Sequence, residues 1–225
     1  QVCSAGEIGQ LIARGPSLFT EYWGLPDKTA ETLRNGWYFS GDAAVADGEG
    51  FINSLRSSVP DINIANGRVM VLGAGGASLA VVNAILEQGA SEVVVANRTL
   101  EKAEQLRQRF GPKVLPLEWD KAGDQLTECG LLVNTTSLGM KGQPEVGLNM
   151  SRLPVEAVVT DIVYTPLRTK LLADAAARGN RTVDGLGMLL HQAVRGFSLW
   201  FGVTPQVTDE LHDLVARDID PDYRR

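Results

Sequence analysis

Long apolar runs are missing from this 225-residue chain: none approaches the roughly 18 residues that a membrane-spanning helix needs, which argues against a membrane partner. Cysteine is scarce. Cys3 and Cys129 stand far apart, with no CxxC spacing and no histidine beside them, so neither a structural zinc site nor a disulfide framework is expected. Clustered Lys and Arg are absent too, and the net charge of −6 gives no support to a nucleic-acid partner. The chain opens Gln1-Val2-Cys3-Ser4, without an initiator methionine and without the basic and apolar regions of a signal peptide. It reads as cut from something longer, with a reducing cytoplasm as the default location. What is present is ordinary for a globular protein: 44% hydrophobic and 21% charged residues, in a chain long enough to bury a substantial core.

Two stretches differ in texture. Residues 1–53 hold seven acidic and three basic residues, many glycines, and aromatics at Tyr22, Trp23, Trp37, Tyr38, Phe39 and Phe51. Leu11-Ile12-Ala13 suits a strand and Thr29–Leu33 one helical turn, but the segment is too short and loop-rich for a domain of its own. Residues 54–67 read as a polar connection, with Pro60, Asp61, Asn63 and Asn66. From residue 68 to 225 apolar runs alternate with helical patterns. Strands are expected at Arg68–Leu72, Glu92–Ala96, Val114–Leu117, Leu131–Asn134 and Ala157–Ile162. Helices are expected at 76–88, 100–110, 169–178, 186–201 and 208–218. This alternation predicts an α/β fold: a doubly wound, Rossmann-like parallel sheet with helices on both faces, preceded by a short, mostly β and loop segment.

The strand at Arg68–Leu72 runs into Gly73-Ala74-Gly75-Gly76-Ala77-Ser78 and then a helix. Gly73 can make the tight turn, Gly75 lets a pyrophosphate approach the backbone, and the helix N-terminus offers free N–H groups. Ser78 stands where the fingerprint has Gly or Ala, a small change that still permits close packing. An NAD site has an acidic residue at the end of the second strand; this chain has Asn97-Arg98-Thr99. A carboxylate would repel a 2′-phosphate, whereas the Arg98 guanidinium can pair with it, so the predicted cofactor is NADP. The competing reading of Arg98, a solvated surface arginine, is the weaker of the two.

These motifs, together with Asn134-Thr135-Thr136-Ser137-Leu138-Gly139-Met140, Asp161-Ile162-Val163-Tyr164-Thr165-Pro166 and Asp184 to Gln192, resemble the shikimate dehydrogenase family over about residues 51–218. The resemblance implies an NADP domain that interconverts shikimate and 3-dehydroshikimate, within aromatic amino acid biosynthesis. It places Gly73, Ala74, Gly75, Gly76, Ala77, Asn97, Arg98, Thr99, Asn134, Thr135, Ser137, Met140, Ile162, Gly185 and Met188 along the cofactor. Tyr164 and Gln192 would face a shikimate-like substrate. By position Asp47 would match the aspartate that pairs with the family's catalytic lysine. That lysine belongs to an N-terminal half which nothing before Asp47 resembles, and Lys28 sits in another context. Read from the residues, His191 is a surface or satisfied histidine.

Residues 1–53 instead resemble the acyl-CoA synthetase and AMP-forming ligase superfamily, through Gly6-Glu7-Ile8-Gly9-Gln10-Leu11, Arg14-Gly15-Pro16, Tyr22-Trp23 and Gly36-Trp37-Tyr38-Phe39-Ser40-Gly41-Asp42. The resemblance implies that Asp42 would bind the ribose of ATP, but the ligase phosphate loop and catalytic lysine have no counterpart. The chain thus looks chimeric, switching near Asp47-Gly48-Glu49-Gly50-Phe51. The expectation is NADP binding with little or no turnover; a non-catalytic NADP module is the alternative, and a homo-oligomer is left open.

Overall fold

A computed structural model of the chain describes residues 8–13, 21, 26–35, 37–45, 48–65, 67–221 and 223. The chain divides into two units, Gln1–Asp47 and Gly48–Arg225. In the first, β1 (Ile8–Ala13) and β2 (Leu33–Arg34) both pair antiparallel with β3 (Trp37–Val45), in the order β1-β3-β2. Helix α1 (Pro26–Thr32) precedes β2, and Asn35, at a φ of 53°, turns the chain into β3. The predicted strand and helical turn in this segment are both present; the long β3 was not foreseen.

The second unit opens with α2 (Glu49–Ser58), where sequence reading had placed a segment boundary and a polar connection. Phe51, Ile52, Leu55 and Val59 all lie buried, at the spacing of one helical face. Dividing the sequence after residue 53 split that face in two, which is why the helix went unseen. A six-stranded parallel sheet follows, in the order β6-β5-β4-β7-β8-β9. Its strands are β4 (Arg68–Leu72), β5 (Glu92–Asn97), β6 (Val114–Glu118), β7 (Cys129–Asn134), β8 (Val158–Asp161) and β9 (Arg181–Val183). The chain builds outward from β4 through β5 to β6, then returns to β7 beside β4 and builds the other way. That reversal is the switch point at which such sheets bind ligands.

Alternation along each strand feeds two cores. Val69 and Val71 of β4 face a cluster with Phe51 and Leu55 of α2, Val81 and Ile85 of α3 (Gly76–Glu87), and Leu106 of α4 (Leu100–Phe110). Met70 and Leu72 face the other way, onto Leu126 and onto Leu171, Leu172 and Ala175 of α5 (Lys170–Ala177). Each such side chain contributes roughly 1.5–3 kcal/mol by leaving water, which holds helices on both faces and aligns the strand ends. Helices α6 (Gly185–Phe201) and α7 (Asp209–Ile219) meet around Leu186 and Ala216. No described helix is long and apolar enough to cross a membrane.

Candidate functional site

The loops that follow β4, β5, β7, β8 and β9 all leave the same edge of the sheet, because the strands are parallel. Most of the predicted site residues fall on them or on the strand ends that lead into them, and Gly76, Ala77, Gly185, Met188 and Gln192 lie in the helices that follow. Gly73 is buried at a φ of +100°, and its N–H donates to the Ala96 carbonyl (2.8 Å). A Cβ there would stand 2.7 Å from Thr136 Cγ2, so the left-handed turn and the neighbouring loop both require glycine. Gly75 is the N-cap of α3 and makes no side-chain cap; a Cβ at Gly75 or Gly76 would meet nothing within 4 Å. The first turn of α3 carries no acidic residue. Its free N–H groups and positive dipole end therefore face open space that a phosphate can occupy. Ser78, fully buried, donates to the Gly75 carbonyl (2.6 Å) and steadies that turn.

Asn97 joins this loop to the next. Its Oδ1 accepts from Ala74 N–H (3.1 Å) and its Nδ2 donates to the Thr99 carbonyl (2.8 Å). Arg98 and Thr99 are exposed beside it, and the run Asn97-Arg98-Thr99 contains no carboxylate. Ala77 is half-buried in the first turn of α3.

The loop after β7 is built differently. Asn134 is fully buried with its amide engaged on all sides: Nδ2 donates to the Leu138 carbonyl (3.1 Å) and to Asp161 Oδ1 (2.9 Å), while Oδ1 accepts from Thr136 N–H and Oγ1. Thr135, also buried, donates its hydroxyl to the Leu72 carbonyl (2.8 Å). These two side chains shape the loop, and Ser137 and Met140 are the ones left exposed. Asp161, at the end of β8, further accepts from Val163 N–H (3.0 Å) and Thr169 Oγ1 (2.8 Å). Burial pushes its carboxyl up to about 6, against the opposing pull of the Val163, Thr169 and Asn134 hydrogen bonds. Sequence reading quoted Asp161 within a motif but gave it no role; a lone aspartate ending an apolar strand was the only local signal.

Ile162 is half-buried, its N–H bonded to the Asn134 carbonyl (3.1 Å), and Tyr164 is exposed two residues on. Gly185 opens α6 tightly against the Ile162 and Val163 carbonyls, leaving no room for a side chain. Asp184 caps that helix, accepting from Leu186 and Gly187 N–H, and His212 of α7 lies 3.3 Å from the same carboxylate oxygen. Met188 packs half-buried against the first core cluster, and Gln192, one turn on, is exposed. Burial pushes the His191 imidazole below its ordinary value, and lifts the Cys129 thiol to about 11, which leaves that thiol inert. Asp47, and the side chain of Asp42, lie outside the described residues. A shallow hollow of about 700 Å³ lies elsewhere, between α4 and β6 along Leu100, Arg107 and Pro116.

A parallel sheet that reverses its winding beside a glycine turn, with an uncapped helix beyond it, defines a dinucleotide-binding domain. Two family models match it: shikimate / quinate 5-dehydrogenase over residues 55–140, and the shikimate 5′-dehydrogenase C-terminal domain over residues 185–209. The chain belongs to the shikimate dehydrogenase family. It is 52% identical over 201 residues to the shikimate dehydrogenase (NADP(+)) of Rhodopseudomonas palustris strain TIE-1, covering 87% of this chain and 72% of that protein. For the Nitrobacter hamburgensis enzyme the identity is 51% over 199 residues, covering 86% and 70%. Among solved structures, shikimate 5-dehydrogenase of Thermus thermophilus, in complex with NADP(H) and shikimate, is 33% identical. It aligns with a TM-score of 0.65 over 82% of this chain and 67% of that one. Quinate dehydrogenase of Corynebacterium glutamicum, in complex with NAD, is 29% identical with a TM-score of 0.68, over 77% of this chain and 62% of that one.

A match over 87% of the chain leaves only about 30 residues outside it, fewer than the 53 assigned to a ligase-like segment. The family likeness therefore reaches into that segment. None of these relatives is a ligase, and the expected ligase fragment and chimeric origin find no support in them.

Proposed function

We propose that this chain binds NADP along the C-terminal edge of its six-stranded sheet and serves the oxidation of shikimate, or the reverse reduction, as its relatives' names describe. One observation carries the cofactor reading: the open N-terminus of α3 lies beside Asn97-Arg98-Thr99, tied to it through Asn97 and free of carboxylates. The α3 N–H groups would hold the pyrophosphate and Arg98 the 2′-phosphate. Ser137 and Met140 would line the path towards Gly185 and Met188, with Tyr164 and Gln192 left for the substrate. A nicotinamide held there would supply the acceptor for hydride from the substrate's C–H. The hydroxyl proton must then leave to a base; in the family a lysine–aspartate pair handles it, and Asp47 matches that aspartate by sequence position alone.

Titration of the 225-residue chain with NADP and NAD, followed by shikimate-dependent NADPH formation, tests this reading. Tighter binding of NADP than NAD, together with turnover, supports it. A second reading, a cofactor-binding module without turnover, rests on the context of Lys28, which does not match that of the family's catalytic lysine. NADP binding with no NADPH formation favours that second reading, and failure to bind NADP overturns both.

A further inference from the structure

Glycine inside a helix is costly relative to alanine, so Gly50 in the first turn of α2 calls for a reason. A Cβ at Gly50 would stand 2.5 Å from Gln192 Cγ, 3.0 Å from the Gln192 backbone nitrogen and 3.3 Å from its Cα. One turn further along α2 the contact is reciprocal: a Cβ at Gly187 would stand 2.5 Å from Ser54 Oγ. The two helices therefore run antiparallel and nearly backbone to backbone, with one glycine from each making the approach possible. On its other side α2 has nowhere to retreat, since Gly48 lies tightly on Ala80 and Ala84 of α3, and Phe51 and Leu55 are locked in the core. The stem of Gln192 thus rests on the bare backbone of Gly50, while the residue as a whole is exposed.

We infer that Gly50 is a positioning residue: its missing side chain sets where the Gln192 carboxamide stands, and through it how the substrate is held. This rests on the reading of Gln192 as a substrate contact. The test is a double-mutant cycle of Gly50→Ala and Gln192→Ala in the 225-residue chain, read by thermal unfolding and by calorimetric titration with shikimate and with NADP. Gly50→Ala is expected to lower Tm and to weaken shikimate binding about tenfold, as for one displaced hydrogen bond, with NADP affinity unchanged. In the Gln192→Ala background the same substitution should lose most of its effect on Tm and all of its effect on shikimate. Gly187→Ala, whose methyl meets Ser54 instead, should cost the same Tm with or without Gln192. If Gly50→Ala alone does not fold, recovery of folding in the double variant supports the contact, and failure of both overturns it. Equal Tm losses in the two backgrounds also overturn it, whatever the chain binds. A coupled cycle in a chain that binds no shikimate overturns only the substrate reading of Gln192.

Discussion

The loops after β4 and β7 leave the same edge of the same sheet and are built on opposite plans. The first is steadied by Asn97 and Ser78 yet leaves the α3 N-terminus without a side-chain cap, with Gly75 and Gly76 open to their surroundings. The second spends its polar groups internally: Asn134, Thr136, Asp161 and Thr169 form one hydrogen-bonded strap across β7, β8 and the start of α5. The difference is one of satisfaction. Open donors at a helix end can be met by water or by a charged ligand, whereas the second loop, with only Ser137 and Met140 left exposed at its surface, is fixed by satisfying the polar groups beneath them.

The largest expected effect comes from making the open terminus resemble a closed one. Gly75 has an ordinary extended backbone (φ −96°, ψ −166°) and free space, so Gly75→Asp should fold and add an N-cap. The carboxylate would then stand where the pyrophosphate is proposed to lie. Like charges so placed cost several kcal/mol, and NADP affinity should fall more than about 100-fold while Tm holds or rises. Unchanged NADP affinity, measured by titration, would remove the cofactor from this helix end.

Next comes the pH dependence of the strap. Asp161 titrates at about 6 in the folded protein, above the ordinary carboxylate value of 3.8, so the folded state holds its proton more tightly. Its contribution is fully present below about pH 4 and is lost as pH rises through about 6, a swing of up to roughly 3 kcal/mol. Thermal melts should therefore show Asp161→Asn gaining on the wild type over that window; parallel curves would refute the shift. Smaller again, Arg98→Ala should weaken NADP by about 10- to 100-fold, as for a charge-assisted hydrogen bond, and leave NAD nearly unchanged. Equal losses for both cofactors would deny Arg98 the 2′-phosphate. Smallest, Thr169→Ala removes both the α5 cap and one bond to Asp161. It should cost about 1–2 kcal/mol, a fall in Tm of several degrees, with NADP affinity little changed.

Most of the second unit could be read from local pattern. Apolar runs marked β4, β5 and β7, and the helices α3 to α7 begin within two residues of where periodicity put them. The short β9 and the helix α2 escaped, one for lack of length and the other because an assumed boundary cut its buried face. Around the candidate site, the turn at Gly73 to Gly76 and the strand end at Asn97 to Thr99 were legible as local structure because a strand–turn–helix junction is contiguous in sequence. Asp161 and Gly50 were not, since each acts on a residue far along the chain, Asn134 and Gln192 respectively.

By itself the sequence determined the parallel sheet and the glycine turn that opens onto α3, and it carries the proposal of NADP, because hydrophobic period, glycine and the charge at a strand end are local properties. Only the tertiary structure decided which polar residues are exposed and which are consumed beneath them. Asn134 and Ser137 read alike as members of one polar loop; one is fully buried against a carboxylate 27 residues away and the other is exposed. Burial is a property of the neighbours that folding brings together, and no single stretch of chain contains them.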